Sequence, residues 1–218
     1  MKNQLFDYDD SSVESVLEYS QHLLDKPFLE IINSYKKSLY KSYADFQTKT
    51  ISNILDKEIS MKSKGQYGNY IEKYFYGYQP NSDSGADFEK IGVELKVTPF
   101  KVNKNGSISA KERLVLTILN YMEENLEDFY STHLWEKCSK ILLLFYNGLI
   151  PNQTLAGYII EKVFLYEWFE EDMEVILEDY RRITQKIKDG RAHELSESDG
   201  NYLSTCTKGA GGGKDFRE

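Results

Sequence analysis

The stretch Ile91-Gly92-Val93-Glu94-Leu95-Lys96-Val97 alternates apolar and polar residues, as a half-buried strand does. It decides the fold class, because the chain changes character around it. Immediately upstream, Asn81-Ser82-Asp83-Ser84-Gly85 is a turn cluster. Before that, Tyr70, Ile71, Tyr74 and Phe75 recur at helical spacing, and Lys64-Gly65 forms a flexible break. Farther back, Ser11-Ser12-Val13-Glu14 is a capping-box pattern that opens a helix to about Leu24. Pro27 separates it from a second helix reaching about Leu39, and Ile51, Ile54, Leu55 and Ile59 share one face of a third.

Downstream of the central strand, Lys104-Asn105-Gly106 reads as a hairpin turn. The segments Arg113–Leu119, Ile141–Tyr146 and Tyr158–Trp168 are compatible with strands, the second also with a buried helix. Met173, Ile176, Leu177, Tyr180, Ile183 and Ile187 mark a long amphipathic helix that ends at Gly190. Helices, then a mixed sheet, then a helix describe an α/β or α+β domain. The expected division is a helical subregion over 1–60, a core over 61–208, and a Gly-rich linker over 209–218 that leads to a further domain of a longer protein.

Composition narrows the function. The 218 residues suffice to bury a core, and 40% hydrophobic with 28% charged residues is ordinary for a soluble globular chain. No apolar run is long enough to span a membrane, and the N-terminus lacks the apolar centre of a secretory signal. Cys138 and Cys206 lack zinc-site spacing and read as reduced thiols, which points to the cytoplasm. A net charge of −8 argues against a general polyanion binder. The distribution is uneven, with seven lysines against three acids over residues 36–64 and seven acids against Lys2 and Lys26 over residues 1–30. The 17 tyrosines suit a wet interface, although most such rings belong in a core or at its edge.

Asp87, Glu94 and Lys96 form a D-x6-E-x-K pattern. Hydrolysis of a phosphodiester requires hydroxide near neutral pH and neutralisation of charge on the scissile phosphate, and a bound metal supplies both. Magnesium prefers oxygen ligands and keeps several waters, so one or two carboxylates with phosphate oxygens suffice. Glu94 and Lys96 are two apart on a strand and share a face, while Asp87 converges from the turn. The bland alternative is a surface ion pair between Glu94 and Lys96 on an edge strand. Bland readings hold elsewhere too: His22, His133 and His193 as structural residues, Cys206 as a plain thiol, and Tyr74, Phe75 and Tyr76 as core.

Gly68-Asn69-Tyr70-Ile71-Glu72, then Asp87-Phe88, then Gly92-Val93-Glu94-Leu95-Lys96-Val97-Thr98-Pro99 resembles the signature of the MutH mismatch-repair nuclease and the GATC-specific type II restriction endonucleases of the Sau type. Lys111–Leu116 and Ala192–Glu197 resemble the restriction enzymes more than the repair nuclease, and the likeness runs from about Lys64 to about Ala210. It implies a restriction-endonuclease-like core, a mixed sheet flanked by helices. It implies Asp87 and Glu94 as ligands of Mg2+, Lys96 as the catalytic lysine, Glu72 as an additional active-site glutamate and Lys137 as a second active-site lysine. Lys64 and Gly65 match a DNA-contacting loop, and Lys208 falls where the family contacts its recognition sequence. The position two before Lys208 is Cys206, where the repair nuclease has an arginine.

The resulting expectation is a magnesium-dependent restriction endonuclease domain acting on double-stranded DNA that contains GATC. The expected partners besides DNA are a second copy, by dimerisation on DNA, and a C-terminal domain of the same full-length protein. Its rivals are a strand-nicking repair endonuclease and a non-catalytic or allosteric DNA-binding module of the same fold.

Overall fold

The computed structural model describes residues 7–42, 53, 56–57, 66–79, 85–119, 126–149 and 154–206. Helix α1, Val13–Ser20, starts where Ser12 leaves helical geometry and its side chain accepts the Ser15 N–H. The cap is thus Ser12 rather than Ser11. Helix α2 spans Phe28–Ser42. The expected third helix near 51–59 lies outside the described residues except for Asn53, Asp56 and Lys57, which are helical. Helix α3, Tyr67–Ile71, widens into one π-helical turn at Glu72–Tyr76 and stops at Gly77, whose φ of 81° is left-handed.

Strand β1 spans Val93–Val102, β2 Ile108–Ala110, β3 Lys140–Asn147 and β4 Ile160–Glu167, in the sheet order β2-β1-β3-β4. The hairpin between β1 and β2 is antiparallel, pairing Phe100 with Ala110, Lys101 with Ser109 and Val102 with Ile108. Its turn carries Gly106 at φ 81°, as the Lys-Asn-Gly sequence requires. Arg113–Leu119, expected as a strand, is irregular. It stays so because strand propensity needs a partner and a buried face. Leu114, Val115 and Ile118 are all exposed.

The chain forms two compact units, one of residues 1–115 with 141–166 and one of 116–140 with 167–218. In the first, helix residues Val16, Phe28, Ile32 and Ile71 share a core with the sheet residues Val93, Leu95, Leu142 and Leu144. Tyr74, Phe75 and Tyr76 are buried there, so they are core rather than stacking platforms. The 24–28 segment runs beside β4, with the Asp25 N–H bonded to the Ile160 carbonyl and that of Phe28 to the Tyr158 carbonyl.

The second unit contains helix α4, His133–Cys138, and helix α5, Glu170–Lys188. Thr132 caps α4 by accepting the Trp135 N–H. Phe129 lies 5.6 Å from the Trp135 and Trp168 rings and 5.1 Å from Tyr180, which gives this unit its own aromatic cluster. Acids in the first turn of α5 and lysines in its last complement the helix dipole. Gly190, at φ 73°, lies just beyond its end. Both cysteines are free thiols, and no helix among the described residues is long and apolar enough to cross a membrane.

Candidate active site

The spacing of Asp87 and Glu94 has a simple structural cause. Residues Glu89–Ile91 form a single 3-10 turn, and Gly92 follows at φ 62° and ψ 38°, the left-handed region. This folds the chain back so that Phe88 pairs with Val93 across an antiparallel bridge. The Phe88 N–H reaches the Val93 carbonyl at 2.9 Å, and the Val93 N–H returns to Phe88 at 3.3 Å. Six residues between the two carboxylates are therefore what one tight reversal needs.

The reversal locks the carboxylates by crossed backbone bonds. The Leu95 N–H donates to Oδ2 of Asp87 at 2.9 Å, and the Asp87 N–H donates to Oε2 of Glu94 at 3.3 Å. Each acid is thereby oriented by the backbone beside the other. Lys96 donates from Nζ to Oε1 of Glu94 at 2.7 Å. Glu94 is 3% exposed, so this is no surface ion pair. A carboxylate this far from water must be balanced by cations or N–H donors.

Asp87 and Glu94 offer hard oxygen donors held side by side, a set that fits a magnesium ion completed by water and phosphate. Among the described residues no group of three His, Cys, Asp or Glu side chains converges on a single metal position. A two-carboxylate site, with the rest of the coordination left to water and substrate, is the arrangement these residues can supply.

A cleft opens beside the pair, lined by Glu72, Tyr78, Gln79, Ala86, Asp87 and Glu89. Glu72 comes from the π-helical turn after α3 and lines the same cleft as Asp87. Tyr78 and Glu89 were not singled out in the sequence. Glu89 stands two residues from Asp87 across Phe88, an alternation that could have revealed it. Tyr78 carried no local signal, since it arrives through the left-handed exit at Gly77. Burial raises the Tyr78 hydroxyl above its ordinary pKa; a hydrogen bond with Tyr8 works against this, and negative charge on Asp10, Asp87 and Glu89 adds to it. Tyr78 is thus a neutral phenol at the edge of an acidic cleft.

The other expected site residues are placed differently. Lys137 lies on α4 in the second unit, half-buried. Lys64, Gly65 and Lys208 lie outside the described residues, as do the turn at 81–84 and the glycine run at 209–213.

Residues 76–179 match the family model of the DNA mismatch repair enzyme MutH. The chain is also 39% identical over 177 residues to the type II restriction enzyme Sau3AI of Staphylococcus aureus. That match covers 80% of this chain and 36% of the restriction enzyme, so the chain spans about a third of its relative's length. The backbone-locked acid pair and the adjoining lysine lie within residues 76–179, the segment that carries the MutH-family domain, and the chain is similar to the Sau3AI-type restriction enzymes.

Proposed function

We propose that this chain is a magnesium-dependent type II restriction endonuclease domain that hydrolyses DNA phosphodiester bonds at GATC sites. The observation that carries the reading is the crossed pair of backbone bonds holding Asp87 and Glu94 together, with the Lys96 ammonium 2.7 Å from Glu94. When bound, the metal supplies a hydroxide near neutral pH and neutralises charge building on the phosphate.

The chain's own residues then have distinct tasks. Asp87 and Glu94 hold the ligand oxygens in fixed positions, so little reorganisation accompanies the reaction. Lys96 keeps its Nζ at the ligand pair, where spare N–H donors orient the attacking water or an oxygen of the scissile phosphate. Glu72, on the cleft wall, accepts a proton or steers water toward the same centre. Neutral Tyr78 donates a hydrogen bond from its hydroxyl to a phosphate oxygen and keeps its proton, so it adds no negative charge. Lys137 acts as a second lysine near the phosphate, and Lys64, Gly65 and Lys208 contact DNA.

The test uses supercoiled plasmid carrying GATC sites, with magnesium or with EDTA, for the native protein and Asp87→Ala. Magnesium-dependent cuts mapping to GATC and lost in the variant support the reading. A native protein that binds a GATC duplex yet leaves the plasmid intact would sink the catalytic assignment.

A further inference from the structure

The π-helical turn that brings Glu72 to the cleft is tied at its far end by hydroxyls from the N-terminal segment. The last carbonyls of a helix have no partner within it, and a π-helical turn is a rare form of helix. Here the Tyr19 hydroxyl donates to the Phe75 carbonyl at 3.1 Å, and the Tyr8 hydroxyl donates to the Tyr76 carbonyl at 2.8 Å. The donor rings are themselves packed in place. Tyr19 stacks on Phe75 at 4.4 Å, Tyr8 stacks on Tyr19 at 4.7 Å, and Tyr8 meets Tyr76 edge-to-face at 5.9 Å. Packing alone asks only for a ring at these positions, which phenylalanine supplies. What the hydroxyls add is a fixed direction toward two particular carbonyls.

Both ends of the turn bear on the cleft. Glu72 is its first residue, and the Glu72 carbonyl accepts the N–H groups of Gly77 and Tyr78, the latter at 3.0 Å. Tyr78 lines the same cleft and is hydrogen-bonded to Tyr8. A shift of the turn therefore moves two cleft residues together. The N-terminal segment also touches the reversal after Asp87, where both carboxylate oxygens of Asp10 lie 2.7 Å from Nζ of Lys90. That ion pair is exposed, and exposed pairs contribute little. The restraint falls to the two tyrosine hydroxyls.

We propose that Tyr8 and Tyr19 are positioning residues of the nuclease site, which fix Glu72 and Tyr78 by holding the end of the π-helical turn. This rests on the reading of the cleft as a DNA-cleaving site. Both tyrosines lie outside residues 76–179, so the match to the MutH family model does not include them.

The test is single-turnover cleavage of a GATC duplex in magnesium by the native protein, Tyr8→Phe/Tyr19→Phe, Glu72→Gln/Tyr78→Phe and the combination of all four changes. Circular dichroism checks that each is folded at the assay temperature, and the single variants Tyr8→Phe and Tyr19→Phe replace the pair if it is not. Tyr8→Phe/Tyr19→Phe should cleave at least about tenfold more slowly, with the half-saturating DNA concentration within about twofold of native. Added to Glu72→Gln/Tyr78→Phe, it should cost less than about threefold more, because the groups it positions are already gone. Amide exchange in EDTA should quicken over residues 72–78 and stay native over β3 and β4. Cleavage within about twofold of native, or a larger further loss in the combined variant, overturns the proposal alone. Where Glu72→Gln/Tyr78→Phe cuts too slowly for that comparison, exchange decides, and an unchanged rate over 72–78 overturns it. A native protein that binds the duplex without cutting overturns the nuclease reading along with it.

Discussion

Removing Lys96 should destabilise the fold as well as stop the reaction, and the size of the effect follows from Glu94. Its carboxylate side chain is 4% exposed and that of Lys96 is 21% exposed, with 2.7 Å between them. Taking away one partner of a buried ion pair costs about 3–5 kcal/mol, because the other charge stays buried without compensation. Here the Asp87 N–H still serves Glu94, and water reaches part of the lysine site, so Lys96→Ala should cost about 2–3 kcal/mol. For a chain of this size that lowers the thermal midpoint by roughly 5–10 °C. Adding Glu94→Gln should recover at least half of the loss, since a neutral amide needs no cation. The assay is urea and thermal unfolding followed by circular dichroism in EDTA, so that metal binding does not contribute to stability. A Lys96→Ala protein within about 0.5 kcal/mol of native, or a double variant no more stable than the single, refutes the claim that the lysine compensates a buried charge.

Gly92→Ala should cost about 1–2 kcal/mol in the same unfolding assay, because φ 62° penalises a Cβ although the space around it is open; Gly92→Asn should cost less. Gly148→Ala should lower stability by about 1–3 kcal/mol, since the new methyl would meet the rigid Pro99 ring at 2.7 Å, and trimming Lys111 should leave most of the loss in place. Burial pushes Tyr19 and Tyr146 up to about 12, so above pH 10 the unfolded chain releases protons that the folded one keeps. Stability should therefore hold below pH 10 and fall as pH rises from 10 toward 12, and Tyr146→Phe should flatten that fall in midpoint measured against pH.

The parts of the site that were legible in the sequence are those set by local geometry. Asp87, Glu94 and Lys96 lie within ten residues, and one turn with one left-handed glycine brings them together. Strands β3 and β4 and helix α5 were visible through runs of apolar residues and helical spacing. Arg113–Leu119 misled because its residues favour strands, and a sequence does not reveal whether a partner strand is present. The π-helical turn under Glu72 left no composition signal. Tyr8 and Tyr19 were hidden for a different reason. In a chain with 17 tyrosines, nothing local marks the two whose hydroxyls reach carbonyls more than fifty residues ahead.

The reversal at Gly92 bears on how the protein acquires its site as it folds. Asp87 and Glu94 are joined by a closure of six intervening residues, a contact of very low sequence separation. Loops of this size close in about 10–100 ns, long before β1 can find β3 some forty residues away. The carboxylate pair can thus take its mutual geometry from its own hairpin, and later assembly of the sheet has only to bury it.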